Sequence, residues 1–192
     1  MLAQALQFII ESVFNLFALA LLLRFLLQWV RASFRNPFAQ FLVALTNFLV
    51  LPLRRVIPGL AGLDLASLFA AWLVEFLMLL AVLAVSGFPL LVAGWGVVPG
   101  VMLWAVVKLV SLSVYVLMGA VLIQALLSWV NPYTPLAPML DALAGPVLRP
   151  VRRLLPPIGG VDLSPLVVLL ALQLVLMLPV AWLEMMVMGL FR

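Results

Sequence analysis

The groups able to do chemistry in this chain are few, and most are arginines and carboxylates set at the ends of apolar runs. Six acids, ten basic residues and neither His nor Cys occur among 192 residues. The common Ser-His and Cys-His nucleophile arrangements and the usual zinc and haem ligand sets are therefore unavailable, and no Gly-rich phosphate loop is present. The residues predict no catalytic group, no metal site and no cofactor, so the chain reads as a non-enzyme. Its nine methionines are scattered over apolar runs, where filling packing gaps is their ordinary role.

Four polar residues inside the apolar runs carry the sharpest expectation, because each is costly in lipid unless it finds a partner or water. Arg24 precedes Arg31 by one heptad, and Glu75 follows Asp64 by three helical turns, which sets them roughly 10 Å and roughly 16 Å inside one membrane boundary. A long arginine side chain can cover that difference. Gln124 and Gln173 stand at the corresponding places in the second half of the chain. Both charges are thus lost together, and the spacing predicts an Arg24–Glu75 ion pair and a Gln124–Gln173 hydrogen bond. The alternative is that Arg24 snorkels to the surface while Glu75 is protonated or wet. A proton path through Glu75 is disfavoured, since a relay needs several titrating groups in series.

The elements that position these groups come from a duplication. Pro52, Arg54, Arg55, Pro58, Gly62, Asp64 and Leu65 recur 98 residues later as Pro150, Arg152, Arg153, Pro156, Gly160, Asp162 and Leu163. Upstream the offset is 100, carrying Leu26, Leu27, Trp29 and Val30 to Leu126, Leu127, Trp129 and Val130. Asn36-Pro37 corresponds to Asn131-Pro132, and the drift falls in loops. The repeats divide the chain into units 1–98 and 99–192.

At 68% hydrophobic and 8% charged residues, with a mean hydropathy of +1.38, the chain lies outside the range of a soluble domain. Four stretches, at about 5–30, 64–86, 101–130 and 164–190, exceed the roughly 20 residues that cross a bilayer as a helix. The fold class predicted is an all-α membrane protein whose four transmembrane helices form two tandem hairpins inserted in the same direction. Arg31, Arg35, Arg54, Arg55, Arg149, Arg152 and Arg153 fall in the two connections within the hairpins, and the connection from Gly87 to Pro99 has no basic residue. The positive-inside bias then makes the basic connections cytoplasmic and the termini periplasmic. These arginines are expected to meet anionic lipid head groups, not nucleic acid.

Within the first basic connection, Phe38, Phe41, Leu42, Leu45, Phe48 and Leu49 follow spacings of three and four, which predicts a short amphipathic helix over 38–50. At roughly 20 Å it is too short to cross, so it lies in the interface or dips in and returns. Its second copy, interrupted by Gly145 and Pro146, is expected to be shorter or less regular. The apolar outer connection is expected to press on the interface through Trp95. The prolines of the motif are expected to stop helices, and Asp64 and Asp162 to cap the spans that follow them. Pro179 is expected to kink the last span.

The stretch RFLLQWVRASFRNPFAQFLVALTNFLVLPLRRVIPG resembles the signature of the YggT family of bacterial membrane proteins, related to the YlmG proteins of Gram-positive bacteria, cyanobacteria and plastids. LLSWVNPYTPLAPMLDALAGPVLRPVRRLLPPIGGVDLSPLV is similar to the same motif. The resemblance implies an inner-membrane protein with no established catalytic activity, linked at family level to osmotic tolerance, cell division or shape, and assembly of membrane complexes. The family's recurring residues correspond to Asn36, Pro37, Pro52, Arg54, Arg55, Pro58 and Asp64 and their second-repeat equivalents. Together these readings point to an interaction or assembly factor with a protein partner at the cytoplasmic loops. The rival is a small channel or transporter component working as a homo-oligomer around a pore.

Overall fold

The computed structural model describes residues 1–60, 62–89, 96–131, 133–155 and 162–190. Pro132, Trp95, Pro156 and Gly160 lie outside the described residues. The helices are α1 (Leu2–Trp29), α2 (Pro37–Val56), α3 (Leu65–Val85), α4 (Val97–Val130), α5 (Ala137–Leu154), α6 (Ser164–Val175) and α7 (Ala181–Gly189). A five-residue π-helical turn, Leu176–Val180, joins α6 to α7 and holds Pro179.

α1 packs most extensively on α3, and α2 packs on both. α4 packs on α5, on α6 and, across the repeat boundary, on α3. The main core joins Ala18, Leu21, Leu22 and Leu27 of α1 to Ala66, Ala70 and Ala71 of α3 and to Val121, Ala144 and Leu148 of the second repeat. Three small residues on α3 let α1 approach closely, which is how helices associate where lipid removes the hydrophobic drive.

Five helices, α1, α2, α3, α4 and the joined α6–α7, are long and apolar enough to cross a membrane. The fifth is α2, and the expected helix over 38–50 is extended by it at both ends. It starts on an Asn36 cap whose side chain accepts from Ala39 N at 2.7 Å, with Pro37 at the first helical position, where a missing N–H costs nothing. It runs through Pro52 to Val56. α5 likewise continues through Gly145, Pro146 and Pro150. The expectation that these prolines stop the helices is corrected: each removes one backbone bond, and packing of Leu53, Val147 and Val151 on the core holds the segment helical. Gln28, near the end of α1, donates to Gly62 O just ahead of α3 at 3.2 Å. The chain leaving α2 therefore passes beside the end of α1.

α1 and α3 stop in the same way. Arg31 N and Ala32 N donate to Gln28 O and Leu27 O, and Gly87 N and Phe88 N to Ala84 O and Leu83 O. This paired closure needs a left-handed residue. Gly87 supplies it at φ +80°, while Arg31 is forced into it at φ +54°.

Candidate functional site

The most developed polar cluster forms where α1, α2 and α3 meet. Arg24, 3% exposed, donates through Nη1 to Thr46 Oγ1 at 2.7 Å and Asn47 Oδ1 at 3.0 Å. Its Nε lies 3.6 Å from Asp64 Oδ2. Arg54 forks onto the same carboxylate, Nε to Oδ1 at 3.3 Å and Nη2 to Oδ2 at 2.5 Å. Asp64 also caps α3, accepting from Ser67 N at 3.3 Å and Ser67 Oγ at 2.6 Å. Thr46 both accepts from Arg24 and donates to Leu42 O at 2.7 Å. Burial pushes the Asp64 carboxyl up, but hydrogen bonds from Arg54 and Ser67 and the Arg54 charge outweigh it and hold Asp64 below the usual carboxylate range. One carboxylate thus ties three helices together.

The expected Arg24–Glu75 pair is therefore corrected. Asp64 stands level with Arg24 and supplies a carboxylate without the climb to Glu75, and Thr46 and Asn47 satisfy the remaining guanidinium face. Glu75 is 1% exposed, and neither of its carboxyl oxygens has a hydrogen-bond partner among the described residues. The expected Gln124–Gln173 bond is corrected as well. Gln124 Nε2 donates to Asp141 Oδ1 at 3.1 Å, and Gln173 is exposed on the outer face of α6.

The second repeat rebuilds the cluster in a looser form. Arg152 Nε donates to Asp162 Oδ2 at 2.8 Å, and Asp162 accepts from Ser164 N at 2.9 Å, one residue ahead of the Leu163 cap of α6. Arg24, Thr46 and Asn47 are replaced by Gln124, Ala144 and Gly145, so guanidinium and receptors vanish together. A guanidinium returns from α5 itself: Arg149 Nη2 donates to Asp141 Oδ2 at 3.0 Å. It crosses Gly145, where a Cβ would sit 3.1 Å from Arg149 Nε. Gln124, Ser128, Pro138 and Asp141 line a cleft of about 300 Å³ beside it.

Nearer the other end of the bundle, Lys108 Nζ of α4 meets Glu184 Oε1 of α7 at 2.7 Å, and Trp104 Nε1 donates to the same oxygen at 3.2 Å. Arg31, Arg35, Arg55, Asn131, Arg149, Arg152 and Arg153 are exposed, and Asn36 is half-buried as a cap. Arg54, Arg55, Arg152 and Arg153 occupy the last turns of α2 and α5, where the helix dipole favours positive charge. Sequence reasoning missed Thr46, Asn47 and Asp141. The joint replacement of Arg24, Thr46 and Asn47 was the signal that could have found the first two.

Among the described residues no cluster could hold a metal ion. Long apolar helices, buried charges gathered at helix ends and an exposed basic rim fit a multi-pass membrane protein. The chain belongs to the CCB3/YggT family, whose model matches residues 3–85 and again 103–183. It is 40% identical to an uncharacterised protein of Pseudomonas aeruginosa over 173 residues, 89% of this chain and 86% of that protein. It is 37% identical to the uncharacterised protein YggT of Escherichia coli K12, again over 173 residues, 88% of this chain and 86% of the relative. An uncharacterised protein of Haemophilus influenzae is 33% identical over 164 residues, 85% of this chain and 84% of the relative. No solved structure matches the chain.

Proposed function

We propose that this is a non-enzymatic protein of the bacterial inner membrane that acts as an interaction or assembly factor, in the envelope response to osmotic stress or in cell division. In this reading α1, α3, α4 and α6–α7 are the four spans, forming two hairpins inserted in the same direction. α2 and α5 lie in the cytoplasmic interface and the termini are periplasmic. The observation that carries it is the Arg24–Asp64–Arg54 cluster. It clamps α2 to two spans, so that Arg55 and its exposed neighbours form a rigid basic surface able to meet anionic head groups and a protein partner together.

The channel reading finds less support. Glu75 is enclosed by packed apolar helices while Gln173 sits on the outer face, so the two do not face one passage within the chain. Replacing Arg55 and Arg153 by Gln should abolish crosslinked partner recovery from osmotically stressed cells without lowering the amount of protein in the membrane. Undiminished recovery refutes the docking surface. Ion or osmolyte flux across liposomes bearing the pure protein would establish the channel instead.

A further inference from the structure

The contact between the two repeats is open-ended. α3, the second span of repeat one, packs on α4, the first span of repeat two. Met78 and Leu79 share a buried cluster with Val101 and Ala105, flanked by Trp72, Phe76 and Trp104. Trp72 Nε1 donates to Met102 O at 3.2 Å. Applying the repeat relation once more asks what packs on the far face of the last span, and among the described residues no further helix packs there extensively: α6 packs on α4 and α5 and α7 on α4, while α1 packs on α2, α3, α4 and α5.

The positions agree with one exception: Leu176, the counterpart of Met78, is already buried with Val107 and Val114 of α4. Where α3 presents Trp72, Glu75 and Leu79, the last span presents Leu170, Gln173 and Met177. Glu75 and Leu79 are 1% and 3% exposed, but Leu170 and Met177 are 59% and 63% exposed. Phe76 and Leu80 correspond to Leu174 and Leu178, also exposed. The complementary face is bare too. Leu2, Leu6, Ile9, Val13 and Leu16 of α1 are exposed and repeat at alternating steps of four and three, the pattern of a helix-packing seam. Beside them Met1, Gln4 and Ala5, also exposed, take the places of Val101, Trp104 and Ala105, the α4 residues that share the cluster with α3.

Lipid could coat these apolar side chains, but it offers no hydrogen bond to an amide. Gln173 lies nine residues past Ser164, roughly 14 Å into the bilayer at helical rise, where an unpaired polar group is costly. Gln4 stands where Trp104 stands in α4 and would bring a second amide to it.

We propose that two copies of this chain associate in the membrane by repeating the internal contact, α1 of one copy packing on the Leu170–Gln173–Met177 face of the other. The joined surfaces differ, so the contact is heterologous and completes itself only as a closed ring of copies, of which a dimer with four repeats is the smallest. This surface lies among the spans, apart from the basic cytoplasmic rim, and stands or falls independently of partner docking there.

The absence of cysteine makes the test direct. Ala5→Cys and Met177→Cys take the places of Ala105 and Leu79, members of one buried cluster, and both sites are exposed in the single chain. Differently tagged copies, one carrying each substitution, are co-expressed and the membranes oxidised with copper phenanthroline. The mixed, doubly tagged dimer should exceed either same-site dimer at least tenfold. Loss of the mixed species while both chains reach wild-type levels, or equal yields from all three pairings, overturns the proposal.

Discussion

Arg24 and Asp64 meet 3.6 Å apart with side chains 4% and 2% exposed, and the second guanidinium on that carboxylate comes from Arg54. Taking one partner from a buried pair leaves an uncompensated charge, at about 3–5 kcal/mol. Asp64→Asn and Arg24→Leu should each cause a loss of that order, measured as thermal unfolding in detergent. The double variant should lose less than the sum. Strict additivity would mean that the two residues act separately.

The pH dependence follows from the depressed Asp64 carboxyl. A carboxylate whose folded value lies below its unfolded value adds stability that is complete above the ordinary aspartate range and is lost as pH falls through the folded value. Wild-type unfolding temperature should hold steady across neutral pH and fall only on the acid side. Subtracting the profile of Asp64→Asn should remove most of that fall; parallel profiles would assign it to other groups.

Glu75 behaves differently, because it is buried with no hydrogen-bond partner among the described residues. An unpaired polar group in an apolar interior costs roughly 1–3 kcal/mol, so Glu75→Leu should raise stability by about that amount. Exchanging the charges of Arg24 and Glu75 should not rescue Arg24→Glu. Rescue by the exchange would restore a direct contact between them.

Gly145 is buried, and the atoms that a Cβ there would crowd are the end of the Arg149 side chain, which can swing aside. Alanine is favoured over glycine inside a helix by about 1 kcal/mol. Gly145→Ala should therefore be neutral to stabilising while weakening the Arg149–Asp141 pair, seen as a smaller effect of Asp141→Asn in that background.

Arg31 holds a left-handed conformation at φ +54° that costs a non-glycine residue about 1–2 kcal/mol. Arg31→Gly should stabilise the fold to a similar extent. If it also weakens partner crosslinking, the charge of Arg31 is the reason the strained residue stands there.

Much of the helical layout was legible because it rests on strong local signals. Long apolar runs can satisfy their backbone in lipid only as helices, and Asn36-Pro37 and Gly87 mark ends through cap chemistry that acts within a few residues. The length of α2 was not legible, since Pro52 and Pro150 normally stop helices and here are held by packing that no local pattern encodes. Nor was the partner of Arg24. Depth along a helix can be counted from the residues, but which carboxylate faces Arg24 depends on how α2 packs against α1 and α3. Thr46 stands among apolar residues of α2, and only its hydrogen bond from Arg24 makes it a receptor.

The five-residue turn at Leu176–Val180 acts as a spacer in the phase of the last helix. An ordinary helix advances about 100° per residue, and a π-helical turn holds one residue more than its α counterpart. Everything after Val180 is therefore rotated relative to everything before it, which lets Gln173 look outward while Glu184 looks inward to Lys108. Excising a single residue from this turn would swing the Glu184 carboxylate away from its ammonium partner toward hydrocarbon, although no atom of either side chain had been changed.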